Sequence, residues 1–457
     1  MKPDSQAEVV TGRPVRATLT ARTGAIAAMV TIGGLIFGYD NGIIAGALLF
    51  IQPEFGLGAL AQGVTVSSVF VGAMFGAGTS GYLTDRWGRR PMMAVGSVVF
   101  IVSSVLGALA ADAALLTVSR VILGAAIGIM CMTVPVYLSE IAPANRRGAL
   151  GVLFQVAIAL GIVVAYIVNY LLSGTGNWRL MIGLGAVPAA ILVFGLMGMP
   201  ESPRWLVGKG RIDDARAVLL RLRSAEAAGP ELESIRETVS LRTVGFRGLF
   251  RPGLRPALIA GAGIAVFIQF TGVSAVVYFA PTILKAAGFG VSAALMGTFG
   301  IGVLTFLATV LGVFLVDRFG RRRMLLIGIP AMAVSLAVIA LMYGKPDLTG
   351  GPALTILVMT GAYMIFFSCG LGVVTWVILP ELFPLAARSA ANGLCTLVLW
   401  AGNFVVTLIF LPVVNGAGEA ATFWILAGIS VVATLFVLAK VPETKGKSLE
   451  ELERAFA

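Results

Sequence analysis

Apolar stretches of about 20 residues alternate along the chain with short polar segments. A helix of about 20 residues is long enough to cross the hydrocarbon core of a bilayer. Twelve stretches have this length, so the pattern predicts twelve membrane-spanning helices. They cover residues 25–50, 63–83, 91–111, 113–138, 149–172, 179–199, 256–284, 291–316, 324–343, 353–379, 389–414 and 420–439.

The polar segments divide the chain into parts. We expect an N-terminal tail (1–24), a six-helix bundle (25–199), a linker with short helices (200–255), a second six-helix bundle (256–440) and a C-terminal tail (441–457). Residues 211–224 of the linker are amphipathic. They predict a helix at the membrane surface rather than a recruitment site.

Positive charge is concentrated on alternate polar segments. Of 33 Lys and Arg residues, 29 fall in the tails, the linker and the loops that a twelve-helix chain places on the same side. Loops that stay in the cytoplasm are enriched in Lys and Arg. We therefore expect a multi-pass protein of the cell (inner) membrane with both termini in the cytoplasm.

Composition excludes a soluble protein. Apolar residues make up 58% of the chain and charged residues 12%, about half the usual share of about 25%. The net charge of +11 follows from membrane orientation, so no nucleic-acid partner is expected. The chain lacks His, a P-loop and any metal-ligand spacing, since Cys131, Cys369 and Cys395 are scattered in apolar stretches. We expect neither a cofactor nor a metal, and no enzyme.

Three motifs occur twice. The sequence Asp85-Arg-Trp-Gly-Arg-Arg recurs 232 residues later from Asp317, Glu140 and its following Pro recur 241 residues later from Glu381, and Pro200-Glu recurs 242 residues later from Pro442. A nearly constant offset indicates a duplicated six-helix unit. Because six is even, the copies share one orientation, which predicts an all-α membrane protein with two parallel six-helix halves.

These duplicated loops resemble the signature of the major facilitator superfamily, and the segments 38–44, 200–206 and 442–446 resemble its sugar porter family. The resemblance covers nearly the whole chain and implies the major facilitator fold with alternating access. It also implies inter-helix salt bridges on the cytoplasmic face that stabilise the outward-open state. Their members would be Asp85, Arg89, Glu140, Arg147, Glu201, Asp317, Arg321, Glu381, Arg388 and Glu443.

Asp40 and Arg120 are the only charged residues deep within predicted spans, at similar depths in the first and fourth. An unpaired charge at this depth costs several kcal/mol, roughly 3 or more, so each is a functional candidate. One interpretation is a static ion pair. The other is a proton switch, because burial favours the neutral acid whenever Arg120 moves away. By resemblance, an Asp here is typical of proton-coupled sugar porters, whereas facilitative relatives have a neutral residue.

Amides and indoles in the spans offer the hydrogen bonds and flat apolar faces that a sugar ring requires. They could equally connect helices or anchor them at the interface. By resemblance, the substrate-binding residues are Gln155, Gln269, Trp376, Trp400 and Asn403, and Tyr278 with Phe279 forms the outer gate.

The predicted pocket departs from the family. Ile162 and Ile268 stand where the family usually has glutamines, and Ser274 and Thr305 where it has asparagines. Fewer amides imply a different selectivity, since a site built to bond a hydroxyl rejects analogues that lack it. Glucose is therefore not assumed, and a pentose, deoxy sugar, polyol or less polar solute stays open.

The resulting prediction is proton-coupled symport of a monosaccharide or related polyol by alternating access. The alternatives are an uncoupled sugar uniporter and a proton-coupled exporter of a less polar solute. Exporters of the superfamily that this chain resembles have a Gly-Pro motif in the fifth helix, whereas residues 149–172 contain no Pro. The expected partners are sugar or polyol, protons and the lipid bilayer. We expect a monomer, because Gly72-x-x-x-Gly76 and Gly124-x-x-x-Gly128 favour contacts between helices of one chain.

Overall fold

The computed structural model describes residues 20–143, 147–239, 246–348 and 350–447, and every extended regular element in these ranges is a helix. The α-helices are α1 (Ala21–Phe55), α2 (Ala59–Trp87), α3 (Arg89–Ala108), α4 (Ala113–Ile141), α5 (Arg147–Leu171), α6 (Trp178–Gly183), α7 (Ala186–Met197), α8 (Pro203–Gly208), α9 (Ile212–Leu222), α10 (Ala225–Val239), α11 (Arg255–Phe270), α12 (Val273–Ala286), α13 (Val291–Phe319), α14 (Arg321–Tyr343), α15 (Gly351–Phe367), α16 (Val373–Leu382), α17 (Leu385–Ala417) and α18 (Glu419–Lys440).

The prediction of twelve spans in an all-α membrane protein is confirmed, since the described residues contain twelve helical segments long and apolar enough to cross a membrane. Nine crossings are single helices. The other three are pairs, α6 with α7, α11 with α12, and α15 with α16, the last joined by a π-helical turn at Ser368–Gly372. These interruptions were not predicted, because each lies inside an unbroken apolar stretch.

The first span is longer than predicted because local groups define its ends. The Thr20 side chain accepts a hydrogen bond from the Thr23 N–H and caps the first turn. At the other end Gly56 has a φ of +61°, a left-handed conformation that ends a helix without strain.

Glycines bring α2 and α4 into close contact. Gly72 and Gly76 lie against the α4 backbone at Val121 and Ala125, and Gly124 lies against the α2 backbone at Val69. Without a hydrophobic effect between helices in lipid, small residues allow the close approach that stabilises such pairs. The glycine motifs therefore join helices within one chain.

The most extensive packing between the two halves joins three pairs of helices. We call α1–α7 the first half and α11–α18 the second half, and α1 packs on α12, α2 on α17 and α5 on α13. The Tyr166 hydroxyl in α5 donates to the Val277 carbonyl in α12, 3.0 Å away. We call the side with the linker and the loops at Gly88 and Gly320 the basic face, and the other side the opposite face.

The linker helices α8, α9 and α10 pack against one another and are fastened to the first half by Arg223. Its guanidinium donates to the Ile141 carbonyl at the end of α4 (2.9 Å) and pairs with Glu231 (2.8 Å). The Arg223 side chain is 1% exposed, so this connection is shielded from water. The predicted amphipathic segment forms α9, whose Val218 and Leu219 are buried.

Changing Gly72 to Ala should lower the thermal midpoint of the purified protein, because the added methyl group would meet the Val121 carbonyl oxygen. Overpacking of this kind costs about 1–3 kcal/mol. Gly78→Ala on the same helix is the matched control, since no atom lies within 4 Å of its added methyl group. Equal midpoints for the two variants would contradict the close contact of α2 and α4.

Candidate functional site

A cavity lies between the halves, and its lining contains every residue that was predicted to bind substrate: Gln155, Gln269, Ser274, Thr305, Trp376, Trp400 and Asn403. The remaining wall is largely apolar and includes Ile158, Ile162 and Ile268. A mainly apolar cavity with a few convergent polar groups is typical of a small-molecule site. Ile162 and Ile268 line it directly, so the departures from the family alter the wall itself.

Two interrupted helices shape this cavity. Between α11 and α12, Gly272 adopts a φ of +101°, which a residue with a side chain rarely adopts. The Tyr363 hydroxyl donates to the Thr271 carbonyl at this break, 3.1 Å away. At membrane depth, backbone N–H and C=O groups that lack a helical partner must be hydrogen-bonded by other protein groups or by water in a cavity. A break of this kind is therefore compatible with a position next to a cavity.

The π turn at Ser368–Gly372 is the second interruption, and both of its end residues line the cavity. Its Gly370 lies against Gly328 of α14, where a Cβ would come 3.3 Å from the Gly328 Cα. Such turns inside α-helices occur frequently at functional sites. The glycines thus let an irregular turn pack closely next to the cavity.

Gln269 and Ser274 are joined across the break between α11 and α12. The Ser274 hydroxyl donates to the Gln269 Oε1 over 2.6 Å, which leaves the Gln269 NH₂ group to bond a ligand. An Asn at position 274 would offer its own amide to the cavity as well. The serine instead bonds Gln269, so one amide rather than two lines the cavity at this break.

Tyr278 joins the halves at the opposite-face end of the cavity. Its hydroxyl donates to Asn41 Oδ1 in α1 over 2.6 Å. Its ring lies edge-on to Phe70 of α2, with centroids 5.7 Å apart, and Phe70 also stacks on Trp400 at 5.9 Å. This aromatic contact joins the two halves beside the cavity, whose lining includes Tyr278 and Trp400.

Phe279, the other predicted outer-gate residue, has a different location. It is fully buried and stacks on Phe410 of α17 in its own half, with ring centroids 5.3 Å apart. Successive helical residues point about 100° apart, so Tyr278 and Phe279 cannot both face α1. The structure brings only Tyr278 to the contact between halves and to the cavity wall.

Asp40 and Arg120 form an ion pair between α1 and α4, with Arg120 Nη1 donating to Asp40 Oδ1. Asp40 is 2% exposed and Arg120 3%. The second carboxylate oxygen of Asp40 and two guanidinium nitrogens of Arg120 are buried without a partner among the described residues. Burying such a pair costs desolvation energy that its incomplete hydrogen bonding offsets only in part, so it is weak evidence for added stability.

The basic-face loops contain the same cluster twice. Arg89 binds Glu140 through two parallel hydrogen bonds of 3.0 and 3.2 Å, and Arg321 binds Glu381 in the same way at 3.0 and 2.8 Å. Both arginines also pair with the Asp four residues earlier, at 3.2 and 3.1 Å. These pairs connect helices, and each lies within one half.

Glu201 and Glu443 differ from their predicted role as salt-bridge partners of arginine side chains. Glu201 accepts the backbone N–H groups of Arg89 and Arg90, and Glu443 those of Arg321 and Arg322. Each carboxylate therefore caps a helix N-terminus, where free N–H groups and the helix dipole favour negative charge. The preceding glycine is required, since a Cβ at Gly320 would lie 2.6 Å from Glu443 Oε2.

The two capping acids differ in their surroundings. Burial raises the pKa of Glu201 above its ordinary value even though three backbone N–H groups bond it. Burial acts in the same direction on Glu443, but there four backbone N–H donors outweigh it and lower the pKa. As the pH falls, protonation should thus reach Glu201 at the cap of α3 before it reaches Glu443 at the cap of α14.

Two other predicted gate residues remain to be placed. Arg388 donates through Nε to the Phe383 carbonyl at 3.3 Å, which is a bond to its own loop rather than to the predicted acid. Its place next to the break before α17 explains this, because the chain turns there at Pro384 and leaves the Phe383 carbonyl free. The side chain of Arg147 lies outside the described residues.

The family model described as sugar (and other) transporter matches residues 26–456 of this sequence. The chain belongs to this family. A glucose transporter, GlcP from Staphylococcus epidermidis, is 40% identical over 92% of this chain and 94% of its own length. A galactose-proton symporter from Escherichia coli is 37% identical over 95% and 94%.

Among solved structures, the partially occluded inward-open conformation of the xylose transporter XylE from E. coli matches with a TM-score of 0.84 at 28% identity. The match covers 94% of this chain and all of that one. The resemblance to major facilitator sugar porters is therefore confirmed, and so is the fold. The family consists of transporters, which are not a class of enzyme, and its members are integral proteins of the cell membrane.

Sequence reasoning missed several residues in and next to this cavity. Asn41, Phe37 and Thr309 line the cavity, and Phe70 connects Tyr278 with Trp400. Asn41 had a signal, because it follows Asp40 directly and is a polar residue at membrane depth. Phe70 had none, since one aromatic residue in an apolar stretch does not reveal which helix it faces.

Changing Tyr278 to Phe removes the hydroxyl that bonds Asn41 and keeps the ring in place. Loss of one such bond should weaken the closed opposite-face contact by about 0.5–1.5 kcal/mol. Labelling of a reporter cysteine at Asn415, which lines a small opposite-face cavity, should increase in a background where the three native cysteines are Ser. Tyr170→Phe is the control, and labelling that rises equally in both would refute this role.

Proposed function

We propose that this protein is a proton-coupled symporter of a monosaccharide or related polyol, working by alternating access in the cell membrane. The observation that carries the proposal is the position of the Asp40–Arg120 pair, next to Asn41 on α1. Asp40 faces α4 while its neighbour lines the cavity and bonds Tyr278. Protonation, substrate and opposite-face closure thus act on one helix.

We infer that the basic face is cytoplasmic, in agreement with the distribution of Lys and Arg. The halves are joined at the opposite face by Tyr278 to Asn41 and by Tyr166 to Val277. The similarity to inward-open XylE supports a cavity that faces the cytoplasm. In the outward-open state, the duplicated Arg89 and Arg321 clusters would meet across the halves and close the basic face.

The proton step is a transfer between water and the carboxylate of Asp40. While Arg120 bonds the carboxylate, the ionised form is stabilised by the adjacent cation. Taking up a proton neutralises Asp40 and releases Arg120 from the ion pair, which frees α1 to move relative to α4. No other acid among the described residues is placed to do this at membrane depth, since the remaining acids lie at or beyond the ends of the spans.

We propose that Gln155, Asn403 and the oriented Gln269 bond substrate hydroxyls while Trp376 and Trp400 cover an apolar face of the ring. Thr305 donates its hydroxyl to the Ile301 carbonyl at 2.7 Å, so it can only accept from a ligand. Named relatives transport glucose, xylose, arabinose or galactose, which supports a monosaccharide. Ile162 and Ile268 favour a substrate with one less polar edge.

An uncoupled uniporter is the second candidate, because one of the similar relatives is named only as a glucose transporter. The ion pair separates the two candidates. Coupling requires that the carboxylate of Asp40 titrates during the cycle, whereas a uniporter would keep a static pair.

Asp40→Asn keeps the shape of the side chain and fixes it in the neutral form. The variant should retain sugar exchange in proteoliposomes and lose accumulation driven by a pH gradient. Asp112→Asn is the matched control, since Asp112 caps α4 in an exposed position and should transport as the wild type does. An Asp40→Asn protein that still accumulates sugar on a proton gradient would disprove symport, and loss of folding in place of coupling would indicate a static pair.

Gln155→Ala and Gln269→Ala should each weaken sugar binding by about 1–3 kcal/mol, because a hydroxyl that loses its partner stays desolvated. Dissociation constants measured by calorimetry over pentoses, hexoses, deoxy sugars and polyols give both the loss and the preferred substrate. Gln62→Ala is the control, since Gln62 bonds the Leu57 carbonyl outside this cavity. Unchanged constants for every sugar would show that these glutamines only connect helices.

A further inference from the structure

A second cavity of about 570 Å³ lies at the basic-face ends of α11, α14 and α18, away from the transport cavity. Four cationic side chains line it: Arg255, Arg322, Lys440 and Lys447. They come from separate parts of the second half, so the fold rather than local sequence gathers them. We call this space the basic cavity.

The only acid in its lining is Glu443, and the charge of that carboxylate is already engaged. Glu443 accepts backbone N–H groups of Arg321 at 2.8 Å and Arg322 at 3.1 Å, as well as those of Thr444 and Lys445. Its charge is directed at the N-terminus of α14. Among the described residues that line the cavity, four cations therefore face only one carboxylate, and that carboxylate is already bonded.

Arg322 supplies an unused donor in the wall. Its Nη2 donates to the Leu438 carbonyl at the end of α18, 2.8 Å away, which fixes the guanidinium across the cavity. Its Nε is buried and has no hydrogen-bond partner in the described part of the chain. A buried donor without a partner is costly, so the charge of this guanidinium is only partly compensated by the protein around it.

Part of this cationic lining has no counterpart in the duplicated first half. Arg90 is the counterpart of Arg322, and both its Nε and its Nη2 are bonded, to the Leu196 and Met197 carbonyls at 2.8 and 2.9 Å. The residues 242 positions before Lys440 and Lys447 are Gly198 and Trp205. The second half has thus gained cations that the first half folds without.

The edge of the basic cavity is apolar and faces outward. Ile259 is 53% exposed and Leu438 is 49% exposed, and both belong to membrane-spanning helices. Cations above exposed aliphatic side chains match a ligand with an anionic head and hydrocarbon chains. A free inorganic anion has no apolar part that could contact this edge.

We propose that the basic cavity binds the phosphodiester headgroup of an anionic phospholipid from the basic-face leaflet, with its acyl chains along Ile259 and Leu438. Basic pockets between the ends of membrane helices are suited to such headgroups. Arg255 and Arg322 offer planar donor groups to the phosphate oxygens, and Lys440 and Lys447 add charge. The site belongs to the second half and is independent of the sugar cavity.

The test measures the affinity of the purified full chain for phosphatidylglycerol by native mass spectrometry over a lipid titration. Neutralising three cations together, Arg255→Gln, Lys440→Gln and Lys447→Gln, should raise the apparent Kd about tenfold or more, given the contribution of each cation near a lipid surface. Arg322 is left unchanged because it also fastens α14 to α18. Phosphatidylcholine should bind weakly to both proteins.

The matched control removes three exposed cations from the linker, Lys209→Gln, Arg216→Gln and Arg221→Gln, for the same change in net charge. Its Kd for phosphatidylglycerol should stay at the wild-type value. Equal losses in both triple variants would overturn the site in favour of general charge attraction. Displacement of the lipid by inorganic phosphate at similar concentration would overturn the lipid as ligand and indicate a free anion.

The C-terminal tail offers a competing anion, because Glu450, Glu451 and Glu453 follow Lys447 in the sequence. Changing these three to Gln should leave lipid binding intact or strengthen it. Loss of lipid binding in that variant would contradict a cavity that recognises the lipid by its own cations.

Discussion

The hydrocarbon core of a bilayer cannot hydrogen-bond a free backbone group, and this constraint organises the whole molecule. It forces the chain into helices wherever it crosses the membrane, and it permits irregular backbone only where protein or a cavity satisfies the freed groups. Gly272 and the π turn at Ser368–Gly372 are such places, since Val273 beside Gly272 and both ends of the π turn line the cavity between the halves. The Tyr363 hydroxyl at Thr271 shows how one side chain compensates for a broken helix.

The same lack of solvation in the membrane interior applies to charged side chains at membrane depth. A pair such as Asp40 and Arg120 persists in a low-dielectric interior only if each member compensates the other. One hydrogen bond joins the pair among the described residues, and three further polar atoms of the two side chains have no partner there. Because Asn41 follows Asp40 on α1, one short stretch of this helix holds the ion pair, the Tyr278 contact and part of the cavity wall.

The two duplicated halves have nearly identical clusters of charged residues at the basic face, but other features are found in one half only. Arg89 and Arg321 repeat each other almost bond for bond, as do the helix caps of Glu201 and Glu443. The first half holds the buried ion pair and the docked linker. The second half holds both broken helices at the cavity and the additional cations around Arg322.

Sequence alone determined the twelve spans, the duplication, the family and the polar residues of the cavity. These follow from apolar length and from motifs, since each of Gln155, Gln269 and Asn403 is conspicuous in an apolar stretch. Asp40 and Arg120 could be paired because only two charges lie deep in the spans.

Only the tertiary structure decided how these residues are used. In the folded chain Ser274 bonds Gln269, and Phe279 packs within its own half instead of facing α1. Glu201 and Glu443 bond the N-termini of helices instead of arginine side chains. The tertiary structure also brought Phe70 to Tyr278 and gathered Arg255, Arg322, Lys440 and Lys447. The physical reason is that apolar length fixes where a helix runs, whereas its rotation and its partners depend on side-chain contacts with helices distant in sequence.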